Sequence, residues 1–319
     1  MHSTRLLVVG RTFRRLANAA SHPVQATRYV SRKLRAPVRS KPLPPPAPTS
    51  PRRDSMQVFA QIQGALNDRM LGRSTGSIDL GLRFPDAPSG AFGAAISREP
   101  GQRDWTEMIK GLAVPRDGRM LDFGCGASDR RSLAAPLGLT WFGLDVPFSM
   151  ESTAREDRSA VTFYGGVSVP FADERFDLVV SIQVFEHVPE PHTTFAEIAR
   201  IVRPGGYLLG STSFNEPFHS ESTFGYSPKN FVRMIGDAGF DVLEVTPGID
   251  IWTLAIRRLA RQFRHDDAAR ILAPFFGTTA SPLNDLIDEC AAKQGVKPVR
   301  ANALKLELAG QFNFLARKR

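Results

Sequence analysis

The stretch MLDFGCGASDRR, residues 120–131, runs from apolar residues into an acid, then into two glycines separated by one small residue, then into polar residues. Such a pattern predicts a buried strand ending at Phe123, a bare turn at Gly124–Gly126, and a helix starting near Ser128. Glycines there let a ligand approach the backbone with no Cβ in the way, above the N–H groups that open a helix. A dinucleotide fingerprint would carry a third glycine three residues after Gly126, where Asp129 stands. The ligand expected instead is a zwitterion, its ammonium held by Asp122 and its carboxylate by the turn. Asp145 lies 19 residues past Gly126 at the end of WFGLD, where a carboxylate can accept both hydroxyls of a ribose.

Outward from the turn, apolar runs at 119–123, 140–144, 161–164, 176–182, 204–212 and 239–245 read as strands. Helical stretches at 56–70, 103–112, 192–202 and 228–238 precede or separate them. Alternation of this kind predicts an α/β fold with a doubly wound, mostly parallel sheet. A loop is expected over 71–100. After 250 comes a departure. Trp252, Ile256, Leu259 and Phe263 fall at helical spacing, Asp266 or Asp267 is placed to cap a second helix, and 282–294 reads as a third. A last strand is expected over 302–317, antiparallel to the rest, with this helical insertion before it acting as packing or as a lid.

The charge of +9 over 319 residues is unevenly placed. Residues 1–53 hold twelve Arg or Lys and no acid, and subtracting these from +9 leaves −3 for the remainder. Seven prolines from Pro37 to Pro51 make an extended spacer. Residues 1–54 therefore read as a basic tail, whose amphipathic stretch TRLLVVGRTFRRLANAA suits an anionic membrane surface or an organellar targeting segment. Residues 55–319 read as the globular domain. Its acidic balance argues against a nucleic-acid partner. Cys125 and Cys290 match no disulfide framework or metal spacing and read as reduced thiols. The expected location is cytoplasmic or membrane-peripheral, with an organelle as the alternative.

A longer stretch, VPFADERFDLVVSIQVFEHVPEPHTTFAEIARIVRPGGYLLGSTS (169–213), resembles the core of class I S-adenosylmethionine-dependent methyltransferases. It is most similar to the group acting on quinone precursors and other small molecules. Pro-Phe-x-Asp, the Phe-Asp opening the fourth strand, Glu-His-Val-Pro and Arg-Pro-Gly-Gly follow in family order, and the likeness covers about 115–247. It implies a seven-stranded sheet and S-adenosylmethionine as cofactor, held by Asp122, Gly124, Cys125, Gly126, Asp145, Val146, Phe171 and Gln183. It implies a small-molecule acceptor, most simply a hydroxyl, with His187 as the base and Glu186 orienting it or capping its turn. Asn215, His219 and Tyr226, in the loop after the fifth strand, become the acceptor contacts. The family's third turn glycine is Ser128 here, and Gly165 stands where relatives often carry an adenine-binding Asp. No carboxylate cluster for a metal is visible, so metal-independent chemistry is expected. A nucleic-acid methyltransferase and a non-catalytic binding module are the rival readings.

Overall fold

The computed structural model describes residues 55–70, 81–127, 130–149, 153, 157–219, 221–260, 262 and 281–319. The basic tail, Ser128, Asp129, Phe263, His265 and the capping aspartates 266 and 267 lie outside them. Seven strands form one sheet: β1 (Arg119–Phe123), β2 (Thr140–Asp145), β3 (Val161–Phe163), β4 (Phe176–Ile182), β5 (Val202–Ser213), β6 (Phe240–Pro247) and β7 (Gln311–Lys318). Their order is β3-β2-β1-β4-β5-β7-β6. β1, β2, β3, β4 and β5 pair in parallel, while β7 is antiparallel to both β5 and β6. The order reverses between β1 and β4, and at such a reversal the loops leaving the carboxyl ends part to leave a crevice.

The helices are α1 (Ser55–Met70), α2 (Gly90–Ala95), α3 (Trp105–Lys110), α4 (Arg131–Ala134), α5 (Pro191–Ile201), α6 (Pro228–Asp237), α7 (Ile251–Ala260), α8 (Pro282–Lys293) and α9 (Pro298–Glu307). Local chemistry sets several starts. The Asp104 carboxylate accepts from the N–H groups of Thr106 and Glu107 at α3, and Ser227 Oγ accepts from Asn230 N at α6. Proline occupies the first turn of α5, α6, α8 and α9, where its missing N–H costs nothing.

Both faces of the sheet are covered, which is why β4 is apolar after Asp177 at every position but Ser181. Successive residues serve opposite faces. Leu121, Phe123, Val179, Leu208, Phe312 and Phe314 pack with Phe195 and Ile198 of α5 and with Phe231 and Ile235 of α6. Met120, Leu178, Val180, Leu209 and Leu315 pack with Met108 and Ile109 of α3. Each such side chain contributes about 1.5–3 kcal/mol on burial. A third cluster joins Ala65 and Leu66 of α1 to Leu286, Ile287 and Cys290 of α8 and Ala301 of α9. The later part of the insertion therefore packs against the first helix of the domain.

Two expectations are corrected. Residues 302–307 are helical, within α9, and the last strand begins only at Gln311. Leu304, Leu306 and Leu308 alternate with Lys305 and Glu307 as a strand would, but Lys305 is fully buried and its ammonium pairs with Asp288 of α8. The expected loop over 71–100 contains α2, whose GAFGAA carries two weak helix formers and gives little local signal.

Candidate functional site

At the end of β1 the chain turns through Gly124 (φ 69°) and Gly126 (φ 53°). Gly124 N and Cys125 N both donate to Leu144 O, at 2.8 and 3.2 Å, which lashes the turn to β2. Asp145, the last residue of β2, is buried. Its Oδ2 accepts from Gly126 N at 2.5 Å and its Oδ1 from Val146 N at 2.7 Å. Three of the predicted cofactor residues, Gly126, Asp145 and Val146, thus meet at one carboxylate. Tyr164, absent from the sequence-level set, donates its N–H to Asp145 O, and burial with the nearby Asp145 charge pushes its phenol up to about 12.

Asp122 is fully buried at the same edge. It accepts from Arg130 Nη1 at 2.9 Å and from Trp141 Nε1 at 3.3 Å. Neither partner is recognisable from spacing, since the acid and its cation sit on opposite sides of the glycine turn.

Gln183 follows β4 with φ 55°, a conformation uncommon for a residue with a side chain and frequent where function requires strain. Its N–H donates to Ser211 O at 2.9 Å. Its side-chain amide donates to Ser211 Oγ at 3.0 Å, and its Oε1 lies 3.3 Å from Ser213 Oγ. Phe171 does not join this edge. Its ring packs edge-on against Phe176, the first residue of β4, at 5.0 Å, and its carbonyl accepts from Arg200 Nη1 at 2.7 Å. Phe176 lies six residues before Ile182, or about 20 Å at 3.3 Å per residue. Phe171 is a packing residue at the far end of the sheet.

Glu186 and His187 lie in a 3₁₀ turn, Phe185–His187. The Glu186 carboxylate is buried and accepts from Thr212 Oγ1 at 3.0 Å, with Ser213 Oγ 3.1 Å away, while its carbonyl accepts from Thr223 N and Phe224 N. Burial raises its pKa against those donors. Glu186 therefore pins the turn to β5 and to the following loop. The His187 ring stands perpendicular to that of His219, centroids 5.2 Å apart.

That following loop encloses a cavity of about 200 Å³, lined by Ser213, Phe214, Glu216, His219, Thr223 and Phe224 among others. His219 Nδ1 lies 3.4 Å from Glu216 Oε1, and burial pushes its imidazole below the ordinary value against the pull of Glu216. Of the other acceptor candidates, Asn215 turns its amide to Glu307 O at 3.4 Å and is not among the cavity residues. Tyr226 is buried, its hydroxyl donating to Phe185 O at 3.1 Å, so it braces the turn from below. The sequence shows no ligating cluster, yet the fold brings one nitrogen or oxygen each of Glu186, His187 and His219 within 4.8 Å of one another.

The profile of a methyltransferase domain family matches residues 121–210, from β1 to β5. Over those residues the chain is similar to a methyltransferase domain. Methyltransferase GfsG of Streptomyces halstedii is 29% identical over 171 residues, 46% of this chain and 62% of that protein. The ubiquinone biosynthesis O-methyltransferase of Aromatoleum aromaticum is 33% identical over 120 residues, 35% of this chain and 50% of that protein. The enzyme of that name from Hahella chejuensis is 29% identical over 198 residues, 57% of this chain and 77% of that protein. The chain thus spans between half and two thirds of the length of the first two relatives. The methyltransferase profile takes in Asp122, the glycine turn, Asp145, Gln183 and His187, and ends before the cavity loop and α7. Among the described residues, no helix is long and apolar enough to cross a membrane.

Proposed function

We propose that the chain binds S-adenosylmethionine along the carboxyl ends of β1, β2 and β4 and methylates an aromatic hydroxyl in the cavity after β5. The observation that carries this reading is the meeting of His187 and His219 at the wall of that cavity. The donor set suits the cofactor. The Asp145 carboxylate, which ends β2, is held by two backbone N–H groups in the place where an acid would meet a ribose diol. Asp122 would share its charge between Arg130 and the methionine ammonium. Where relatives carry an adenine-binding acid, Gly165 faces open space, so adenine recognition falls to main-chain groups and to Tyr164.

S-adenosylmethionine, when bound, supplies a methyl group already activated by a sulfonium. The protein's part is alignment and removal of the hydroxyl proton, for which a neutral imidazole suffices without a metal. Phe218 and Phe224 line the cavity and remain exposed, Phe218 by 80%, which favours a planar apolar acceptor. Two relatives are named as O-methyltransferases of ubiquinone biosynthesis, and methyl transfer to oxygen in those proteins supports a hydroxyl acceptor here. Calorimetry with S-adenosylmethionine, followed by transfer of labelled methyl to a panel of phenols, tests the reading. Saturable binding and phenol methylation are expected, and absence of binding would defeat the assignment.

A further inference from the structure

A carboxylate laid on the glycine turn would find its N–H groups already in use. Gly124 N and Cys125 N donate to Leu144 O at 2.8 and 3.2 Å, and Gly126 N donates to Asp145 Oδ2 at 2.5 Å. α4 spans only Arg131–Ala134, a single turn whose dipole offers an anion little. A cation stands beside the turn instead. Arg130 keeps 15% of its side chain in solvent and gives Nη1 to Asp122 Oδ1 at 2.9 Å. Among the described residues its guanidinium makes no other hydrogen bond. The acid of this pair is firmly held. Asp122 is fully buried, and Trp141 Nε1 lies 3.3 Å from its Oδ2. Gly143 makes room for that indole, since a Cβ there would lie 2.5 Å from the Trp141 ring. Arg131 stands over the same ring, 5.0 Å from its centroid. Neighbouring elements thus fix the acid, and the acid fixes Arg130.

From this arrangement we infer that Arg130 binds the α-carboxylate of the cofactor, so that the Asp122–Arg130 ion pair recognises the zwitterionic amino-acid end as a unit. The inference rests on the S-adenosylmethionine reading of the crevice and adds to it a residue that selects among sulfonium nucleosides. The ammonium and the carboxylate share one carbon on the ligand, and the anion and cation that would meet them stand side by side on the protein. Nη1 serves Asp122, which leaves the fork of Nε and Nη2, and a planar fork of that kind meets a carboxylate through two parallel N–H bonds. Each ion neutralises the other, so neither is left uncompensated in the fold. A nucleoside without the carboxylate would give Arg130 nothing to bind and would bring an ammonium beside it, a repulsive element that sharpens the choice.

Calorimetry of the full-length protein with S-adenosylmethionine and with decarboxylated S-adenosylmethionine tests this. The wild type is expected to bind the carboxylate-bearing form more tightly by roughly 10- to 100-fold, as a charge-assisted hydrogen bond gives. Arg130→Gln should abolish that preference, chiefly by weakening the carboxylate-bearing probe, and Arg130→Lys should keep part of it. The double variant Asp122→Asn with Arg130→Gln removes both charges. It covers the case in which Arg130→Gln strands a buried acid and does not fold, and it too should show no preference. Equal affinity of the wild type for the two probes, or a preference undiminished in the variants, would overturn the inference. So would an equal loss for both probes in Arg130→Gln, the mark of an arginine that serves the fold alone. A wild type that binds neither probe sinks the cofactor reading and the Arg130 role with it, whereas binding without preference sinks the Arg130 role alone.

Discussion

Val184 fills the space that a side chain at position 124 would need: a Cβ on Gly124 would lie 2.4 Å from Val184 Cγ2 and 2.6 Å from its Cγ1. The requirement for glycine at the turn is thus imposed from inside the fold, by the residue after Gln183, as well as by any ligand outside it. Gly124→Val should destabilise the domain by about 2 kcal/mol or more, combining overpacking with a positive φ. Thermal denaturation of Gly124→Ala with and without Val184→Ala checks the source. The second substitution should return part of the loss, and purely additive effects would point to backbone strain alone.

Asp145→Ala should weaken S-adenosylmethionine binding by about 1–3 kcal/mol, since it leaves ribose hydroxyls and the Gly126 and Val146 N–H groups short of an acceptor. Asp145→Asn, which keeps one oxygen, should lie between. Calorimetry giving full affinity for the alanine variant would remove Asp145 from the site.

The two histidines separate in their pH dependence. Burial lowers the His219 pKa from 6.5, so the neutral, proton-accepting form is present at pH 7 and is lost as pH falls through the lowered value. Turnover of a phenol should therefore rise on an acid limb centred below 6.5 and then level. His219→Ala should remove that limb and lower kcat roughly 10²–10⁴-fold. His187→Ala should keep the limb and move it upward, because the His187 charge contributes to the lowering.

Tyr226→Phe should cost about 1 kcal/mol of stability, the net worth of a buried hydrogen bond to Phe185 O, and leave acceptor KM unchanged. Chemical denaturation with parallel kinetics decides this. A raised KM at unaltered stability would return Tyr226 to the acceptor contacts assigned from sequence.

Removal of residues 1–53 takes away twelve cationic side chains and no acid. Cofactor binding should survive, and sedimentation with anionic vesicles should be lost. In the full-length protein that sedimentation should weaken on adding roughly 150 mM salt, as expected of screened surface charge. Equal sedimentation of both proteins would transfer the membrane role to the exposed Trp252 and Leu259 of α7.

Short-range patterns determined much of this protein. Strands 119–123 and 176–182 are legible residue for residue, because burial on both faces demands apolar runs bounded by polar residues. The glycine turn and the acid ending β2 are legible because positive φ favours glycine and because each stands at the end of a strand that its apolar run locates. Tertiary structure alone decided what depends on distant partners. α9 escaped because LKLEL alternates as a strand does, and only Asp288, 17 residues away, makes a buried Lys305 acceptable. Phe171 left the site because Arg200 and Phe176 hold it at the opposite end of β4. Glu216 carries no local signal at all. Its carboxylate is held by Arg258, 42 residues on, and Gln311, 95 residues on, which a periodicity of two or 3.6 residues cannot report. The order of strands across the sheet, with β7 slotted between β5 and β6, likewise follows from which faces must be buried together.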